Sequence, residues 1–174
     1  MQKRHRVVDA GLWGIRQVNY PVAGTTIDEI KHSMDRNKIM QYRWWAGFSH
    51  EASRGRGGNI ILTYQFFIIS PKLRGTPGKA ALGRWNTYSR NIRRHEMNHI
   101  VIERAIVSRM LRSGSLKEIR QVAKFGQKMD NSYDKVTDHG RLEGGRLDFK
   151  GRKRSFTPLI RGYCNRIAKF KTVR

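Results

Sequence analysis

The chain has 174 residues and a formal net charge of +23, because 36 lysines and arginines face 13 acidic residues. This length suits one domain with a sizeable core, and a hydrophobic fraction of 38% argues against a chain that is disordered throughout. The single cysteine, Cys164, excludes an intrachain disulfide and a zinc site built from cysteines. No continuous apolar stretch reaches the roughly 18 residues of a membrane-spanning helix, and no apolar stretch of a signal peptide follows the basic N-terminus.

The first half of the chain predicts strands around one short helix. Residues 15–22 alternate apolar and polar side chains, as a half-buried strand does. A helix with acidic residues in its first turn follows at 27–37. Aromatic residues at 42–49 and regular alternation at 59–70 indicate two strands, and the glycine-rich turn at 53–58 indicates that they form an antiparallel hairpin. We expect strand 59–70 to lie at a sheet edge, where an extended peptide could add to it.

The second half of the chain predicts helices. A loop at 71–83 holds two of the four prolines, and one long helix follows over about 83–112. A serine and a glutamate in capping-box spacing open a second helix at 116–137, which returns antiparallel to the first. The pattern then favours irregular structure at 141–154 and a short terminal helix at 156–170.

These elements predict a single α+β domain over residues 15–147, in which a small antiparallel sheet and one short helix pack on the long helix and its antiparallel partner. Residues 1–14 are expected to form a basic N-terminal arm, and 148–174 a basic C-terminal extension. Residues 141–174 carry eleven lysines and arginines against two acids. We therefore expect this end either to contact a polyanion, such as nucleic acid or an anionic surface, or to be a solvated basic surface.

The long helix contains the pentad His-Glu-Met-Asn-His at positions 95–99. Residues four apart share a helix face, so His95 and His99 can direct both imidazoles at one zinc ion. Glu96 follows the first histidine, where its carboxylate can accept a proton from a water that zinc activates. Both histidines also lie on the apolar stripe of the helix, where unpaired polar groups are costly. The pentad therefore predicts two zinc ligands and a general base.

The third ligand cannot be chosen from the residues alone. A catalytic zinc site usually has three protein ligands. Asp134, Asp138 and His139 are candidates, because the second helix brings them back past the pentad. Glu103 is a further candidate, but it lies on the same rigid helix as the pentad and suits the surroundings of the metal better. Ligand chemistry favours His139, whereas the level along the antiparallel helix favours Asp134.

Three further motifs accompany the pentad. They are Val18-Asn19-Tyr20-x-Val22-x-Gly24-Thr25-Thr26, Trp85-Asn86-x-Tyr88 and Tyr133-Asp134-x-x-Thr137-x-His139-Gly140. With the pentad, they resemble a bacterial family of predicted secreted zinc-dependent proteases that was first catalogued as a domain of unknown function. The resemblance covers roughly residues 15–147 and implies a zincin-like fold and a secreted or periplasmic location. It also implies that His95 and His99 are zinc ligands, that Glu96 is the general base and that His139 is the third ligand.

The sequence thus predicts a zinc metallopeptidase that hydrolyses peptide or protein substrates with Glu96 as general base. The alternative is a basic protein that binds nucleic acid or a large assembly on a zincin-like scaffold, with a structural or vestigial metal site. Glu96 separates the two hypotheses, because a structural zinc site needs no base beside its ligands.

Overall fold

The computed structural model describes residues 5–37, 44–147 and 149–172 of the chain. Along these residues, two strands, a helix and two more strands come first, and three helices follow. The chain is therefore α+β, as predicted from the sequence. The first two residues of the strand predicted at 42–49 lie outside the described residues.

The longest strand forms the centre of the sheet. On one side of this strand, Ile60–Leu62 pair with the first strand and residues 65–69 pair with the second. On its other side, residues 60–69 pair with the third strand. The first and second strands therefore lie end to end along one edge of the fourth, and the third covers its other edge. The strands are β1 (Val7–Asp9), β2 (Leu12–Ala23), β3 (Trp45–Arg54) and β4 (Ile60–Arg74).

The expectation of an antiparallel sheet is wrong for two of the three strand pairings. The β3–β4 hairpin is antiparallel, as the glycine turn predicts, but β1 and β2 both run parallel to β4. The reason is the connection after β2, which crosses through a helix and β3 before the hairpin returns the chain in the direction of β2. The strand expected at an edge, 59–70, is the central strand β4, so it offers no free edge to a peptide there.

Four helices of the described residues complete the fold. The first begins at a capping box, in which Thr26 and Glu29 bond reciprocally to each other's backbone N–H groups. The third begins at Ser115, whose side chain accepts a hydrogen bond from the backbone of Glu118. The helices are α1 (Ile27–Arg36), α2 (Lys79–Met110), α3 (Leu116–Thr137) and α4 (Thr157–Ala168).

The predicted loop at 71–83 is shorter in the structure. Strand β4 continues through Pro71 to Arg74, and α2 already begins at Lys79. Pro71 lies two residues beyond Ile69, the last residue of β4 that the described part of β3 pairs with, and proline is tolerated towards the end of such a pairing. The last residues of α2 and α3 lie within two residues of the predicted last residues, whereas α2 begins four residues earlier than predicted.

Two apolar clusters hold the layers together. The larger lies between β4 and helices α2, α3 and α4, and the smaller lies between β2, α1 and the first half of α2. Helix α4 contributes the buried side chains Ile160, Tyr163 and Ile167 to the larger cluster. The region expected as a C-terminal extension therefore contains a helix that is part of the core, and the region expected as an N-terminal arm contains β1.

None of the helices in the described ranges combines the length and the apolar character that crossing a membrane requires.

Candidate metal centre

The pentad lies in the middle of α2, on the face that the helix buries. His95 is 2% exposed and His99 is 5% exposed, and their Nε2 atoms lie 3.2 Å apart. The four-residue spacing sets this approach, since it places both rings on one side of the helix, one turn apart. The sequence prediction that the two imidazoles converge is confirmed.

Helix α3 packs against α2 and brings a carboxylate to the same point. Oδ1 of Asp134 lies 3.1 Å from Nε2 of His95 and 3.0 Å from Nε2 of His99. These three side chains are the group within the described residues whose arrangement could hold a metal ion. The axial argument from the sequence, which placed Asp134 level with the pentad, agrees with this geometry.

The spacing of the three atoms fits a tetrahedral metal site. Zinc binds imidazole nitrogen and carboxylate oxygen at about 2.0–2.2 Å, so two ligand atoms of a tetrahedral site lie about 3.3 Å apart. The three separations, 3.0, 3.1 and 3.2 Å, are close to that value. Two histidines and one carboxylate also form one of the ligand sets of catalytic zinc, and they leave a fourth position for water or substrate.

The outer nitrogen of each imidazole has its own carboxylate partner. Nδ1 of His95 lies 2.8 Å from Oε2 of Glu143, and Nδ1 of His99 lies 2.7 Å from Oδ1 of Asp130. A carboxylate at Nδ1 fixes the proton there and leaves the lone pair of Nε2 for a metal. Both histidines therefore have the surroundings that metal-ligating histidines have in general.

In this arrangement the negative charge of the Asp134 carboxylate requires a positive partner. With Nδ1–H donated outwards, two Nε2 lone pairs face the Asp134 carboxylate, so either a cation or additional protons must lie between them. Burial alone would lower the pKa of His99, but its hydrogen bonds to Asp130 and Asp134 outweigh burial and raise that pKa to about 11. Burial would likewise raise the pKa of Asp134, but its hydrogen bonds with His95 and His99 hold it below its ordinary value. The centre thus attracts positive charge strongly.

Glu96 lies beside the ligands without belonging to the cluster. Its side chain is 5% exposed, and burial raises the pKa of its carboxyl above the ordinary value, while His95 and His99 oppose that rise. The backbone of Ala46, at the beginning of β3, favours the ionised form and also opposes that rise in pKa. A buried carboxyl with a raised pKa, held at a fixed point near a metal centre, is suited to accept and release a proton.

The other candidate ligands do not belong to this group of three side chains. His139 has a side chain that is 78% exposed, and its Nδ1 lies 3.5 Å from Oδ2 of Asp134, on the far side of that carboxylate. Asp138 pairs with Arg141. Glu103 is buried one turn beyond His99, and burial, together with the charge of Asp130, raises its pKa to about 9. The assignment of His139 as third ligand thus stays a prediction.

A cleft of about 980 Å³ opens onto the centre. It has the volume of a typical small-molecule or peptide subsite. Its lining combines aromatic and aliphatic side chains with polar side chains of α3. The aromatic and aliphatic lining residues include Ile27, Trp44, Trp45, Tyr88, Ile92 and Leu147.

Two residues of the centre, Asp130 and Glu143, were not predicted from the sequence. Asp130 precedes Asp134 by four residues, so the acids of α3 repeat the spacing of the histidines of α2, and this repeat was a usable signal. Glu143 lies in a short 3-10 turn, Arg141–Glu143, within a stretch expected to be irregular. No periodicity marks such a position, because its place depends on how the turn folds back.

The fold and the site define a class, an α+β domain whose helix pair carries a buried cluster of two histidines and a carboxylate. Among protein families, the profile of a bacterial protein of unknown function (DUF922) matches residues 17–140. That span is more than half of the chain, so the chain belongs to this family. No curated protein and no solved structure matches the chain.

Proposed function

We propose that the protein is a zinc-dependent peptidase whose ligands are His95, His99 and Asp134. The observation that supports this most directly is the meeting of their three donor atoms at 3.0–3.2 Å, with the outer nitrogen of each imidazole bonded to a carboxylate. A zinc ion held there would polarise a carbonyl oxygen and lower the pKa of a water in its remaining position.

Glu96 supplies the proton transfer in this proposal. As a carboxylate it accepts a proton from the attacking water, and as a carboxylic acid it donates that proton to the leaving amine. Both forms must be accessible near neutral pH, and burial shifts the pKa of Glu96 in the required direction. Burial on the inner face of α2 keeps the carboxyl beside the ligands in both steps.

Strand β3 would position the substrate. Trp45 and Ala46, at its beginning, line the cleft, and in the described residues β3 pairs on one side with β4. An extended peptide that added to the opposite side of β3 would lie beside the cleft that Glu96 also lines. Under this proposal the peptide would add to β3 rather than to the strand 59–70 favoured by the sequence.

The test of the mechanism is Glu96→Gln, which keeps the size of the side chain and removes its basic carboxylate. We expect zinc content and folding to be unchanged, and cleavage of a diverse peptide library, read by mass spectrometry, to fall by at least about 100-fold. Glu51→Gln is the matched control, because Glu51 is exposed, lies five residues beyond Ala46 and does not line the cleft, and it should cleave as the wild type does. Full activity of Glu96→Gln would contradict the assigned role.

A second candidate function rests on the charge of +23. Under this alternative, the protein binds a polyanion, and the metal centre serves only to stabilise the fold. A wild-type protein that holds zinc, binds nucleic acid and cleaves nothing in the peptide library would favour it.

A further inference from the structure

Glu143 is a buried acid just beyond the part of the chain that the family profile covers. The match ends at residue 140, and Glu143, which is 3% exposed, closes the turn that follows α3. Buried carboxylates are rare unless every oxygen finds a partner. The partners of Glu143 therefore indicate what the residue is for.

Three side chains of the metal centre surround Glu143. Its Oε2 accepts hydrogen bonds from the Tyr133 hydroxyl at 2.7 Å and from Nδ1 of His95 at 2.8 Å, and its Oε1 lies 3.3 Å from Nδ2 of Asn98. Asn98 also donates to the Tyr133 hydroxyl at 2.7 Å. The network is closed, so it fixes both the orientation of the His95 ring and the nitrogen that carries its proton.

The turn that carries Glu143 is pressed against the imidazole. Gly140 and Gly144 both have a positive φ, of 79° and 83°, which favours glycine. A Cβ at Gly140 would come within 2.9 Å of Cγ of His95, so a larger residue would displace the ring. The backbone N–H of Gly145 closes the turn by donating to the carbonyl of Gly140 at 3.0 Å.

The C-terminal segment holds this turn on α2. Asn91, buried one turn before His95, donates through Nδ2 to the carbonyl of Gly144 at 3.0 Å. Its Oδ1 in turn accepts a hydrogen bond from Nζ of Lys153 at 2.9 Å. The next residue, Arg154, donates its backbone N–H to the carbonyl of Leu142 at 3.0 Å.

We infer that Glu143 is a positioning residue for the zinc ligand His95, and that Lys153 keeps it in place by fastening the 140–145 turn to Asn91. The inference rests on the proposed zinc site. It gives a residue of the basic C-terminal region a role at the metal centre, because the Lys153 ammonium donates to the buried amide of Asn91 and does not face a polyanion.

The experiment measures metal binding by the full-length chain, not catalysis. Zinc affinity is determined by competition with a chelator, and the visible spectrum of the cobalt(II)-substituted protein reports ligand geometry. Glu143→Ala should weaken zinc binding about 10–100-fold and change the cobalt spectrum. Glu143→Gln keeps a hydrogen-bond acceptor for His95 and should recover most of the affinity and the spectrum.

Lys153→Met is compared with Lys150→Met, an exposed lysine of the same segment. The first should weaken zinc binding by about two- to tenfold, the contribution of one hydrogen bond, and the second should leave it unchanged. If Glu143→Ala does not fold, the comparison of Lys153→Met with Lys150→Met decides. Wild-type affinity and an unchanged spectrum in Glu143→Ala, or in its place wild-type affinity in Lys153→Met, would overturn the inference and leave the zinc site intact. A wild-type protein that takes up neither zinc nor cobalt(II) would overturn both.

Discussion

Asp130 and Asp134 lie one turn apart on α3 and face the two histidines of α2. Asp134 contacts both Nε2 atoms, whereas Asp130 contacts only the outer nitrogen of His99. Two acids with the same spacing on one helix thus have different roles, because only one of them reaches the point where the imidazoles converge. A metal ligand must reach the point where the two Nε2 atoms converge, whereas an acid at the outer nitrogen can only orient the ring.

The choice between Asp134 and His139 can be measured. Asp134→Ala should reduce zinc affinity by well over the roughly 100-fold that follows the loss of an orienting partner, because it removes a ligand from the cluster. His139→Asn should have little effect, since the His139 side chain is exposed and directed at the outer oxygen of Asp134. Asparagine is the appropriate replacement because His139 has a φ of 51°, which asparagine tolerates.

Asp138→Asn is the matched control for this comparison, since it removes an acid of the same cleft that pairs with Arg141. It should bind zinc as the wild type does. A large loss of zinc in His139→Asn, together with a small loss in Asp134→Ala, would show that the family resemblance had identified the third ligand correctly and that the Asp134 geometry had not.

At the scale of elements, the centre depends on how closely α2 and α3 approach. Gly126 of α3 lies against Ile106 of α2, and a Cβ at that position would overlap the isoleucine side chain. Ile106 is fully buried, so it has no room to move aside. The close approach at Gly126 helps to fix Asp130 and Asp134 opposite the pentad.

Gly126→Ala should therefore destabilise the protein by about 1–3 kcal/mol through overpacking, although alanine favours helix. Gly162→Ala in α4 is the matched control, because nothing lies near its added Cβ. It should stabilise the protein by about 0.5–1 kcal/mol. Chemical denaturation of both variants checks the opposite signs. Equal stabilisation by both would show that the two helices can separate without cost.

The sequence predicts α2, α3 and the β3–β4 hairpin well because their signals are local. Apolar periodicity marks both helices, a serine and a glutamate in capping-box spacing mark the start of α3, and a glycine turn marks the hairpin. The pairing of β2 with β4 is different, because Ile15 and Phe66 are neighbours across 51 residues and no local signal fixes their direction. The three-residue strand β1 is too short to show any alternation.

The residues of the candidate metal centre likewise differ in whether local sequence signals predict their positions. The approach of His95 and His99 follows from one helix and is predictable from spacing alone. The position of Asp134 beside the pentad depends on the register of α3 against α2. The predicted antiparallel helix pair fixes that register only to within a few residues. The arrival of Glu143 requires the fold of an irregular turn, for which the sequence carries no periodic signal.

At the scale of the molecule, the acids are unevenly distributed. Five of the 13 acidic residues, Glu96, Glu103, Asp130, Asp134 and Glu143, lie in or against the metal centre. Fewer acids are therefore left on the surface to offset the 36 lysines and arginines. The exterior is more basic than the net charge alone indicates, which favours association with polyanions.

A deletion of the C-terminal region would not test this, because α4 belongs to the core. Exposed basic residues of α4 and its end should be replaced instead, as in the triple variant Arg161→Gln, Arg166→Gln and Lys169→Gln. If this face binds DNA, the dependence of log K on log salt should become shallower by about 0.9 for each phosphate that the variant no longer neutralises.

The control for the charge prediction is the variant Arg16→Gln, Arg54→Gln and Lys72→Gln, which removes three exposed charges from the sheet. It should keep the wild-type salt slope. A wild-type protein that ignores DNA, RNA and anionic vesicles at low salt would show that the basic surface serves only to keep the protein solvated.

The metal content of the purified chain tests the central claim most directly. Elemental analysis of protein prepared without chelators should find about one zinc per chain, and a variant with His95→Ala and His99→Ala should contain none. Circular dichroism of the same samples shows whether the variant is still folded. Wild-type protein that is folded and free of metal, even after incubation with zinc, would contradict the account, as would zinc retained at full stoichiometry by the double variant.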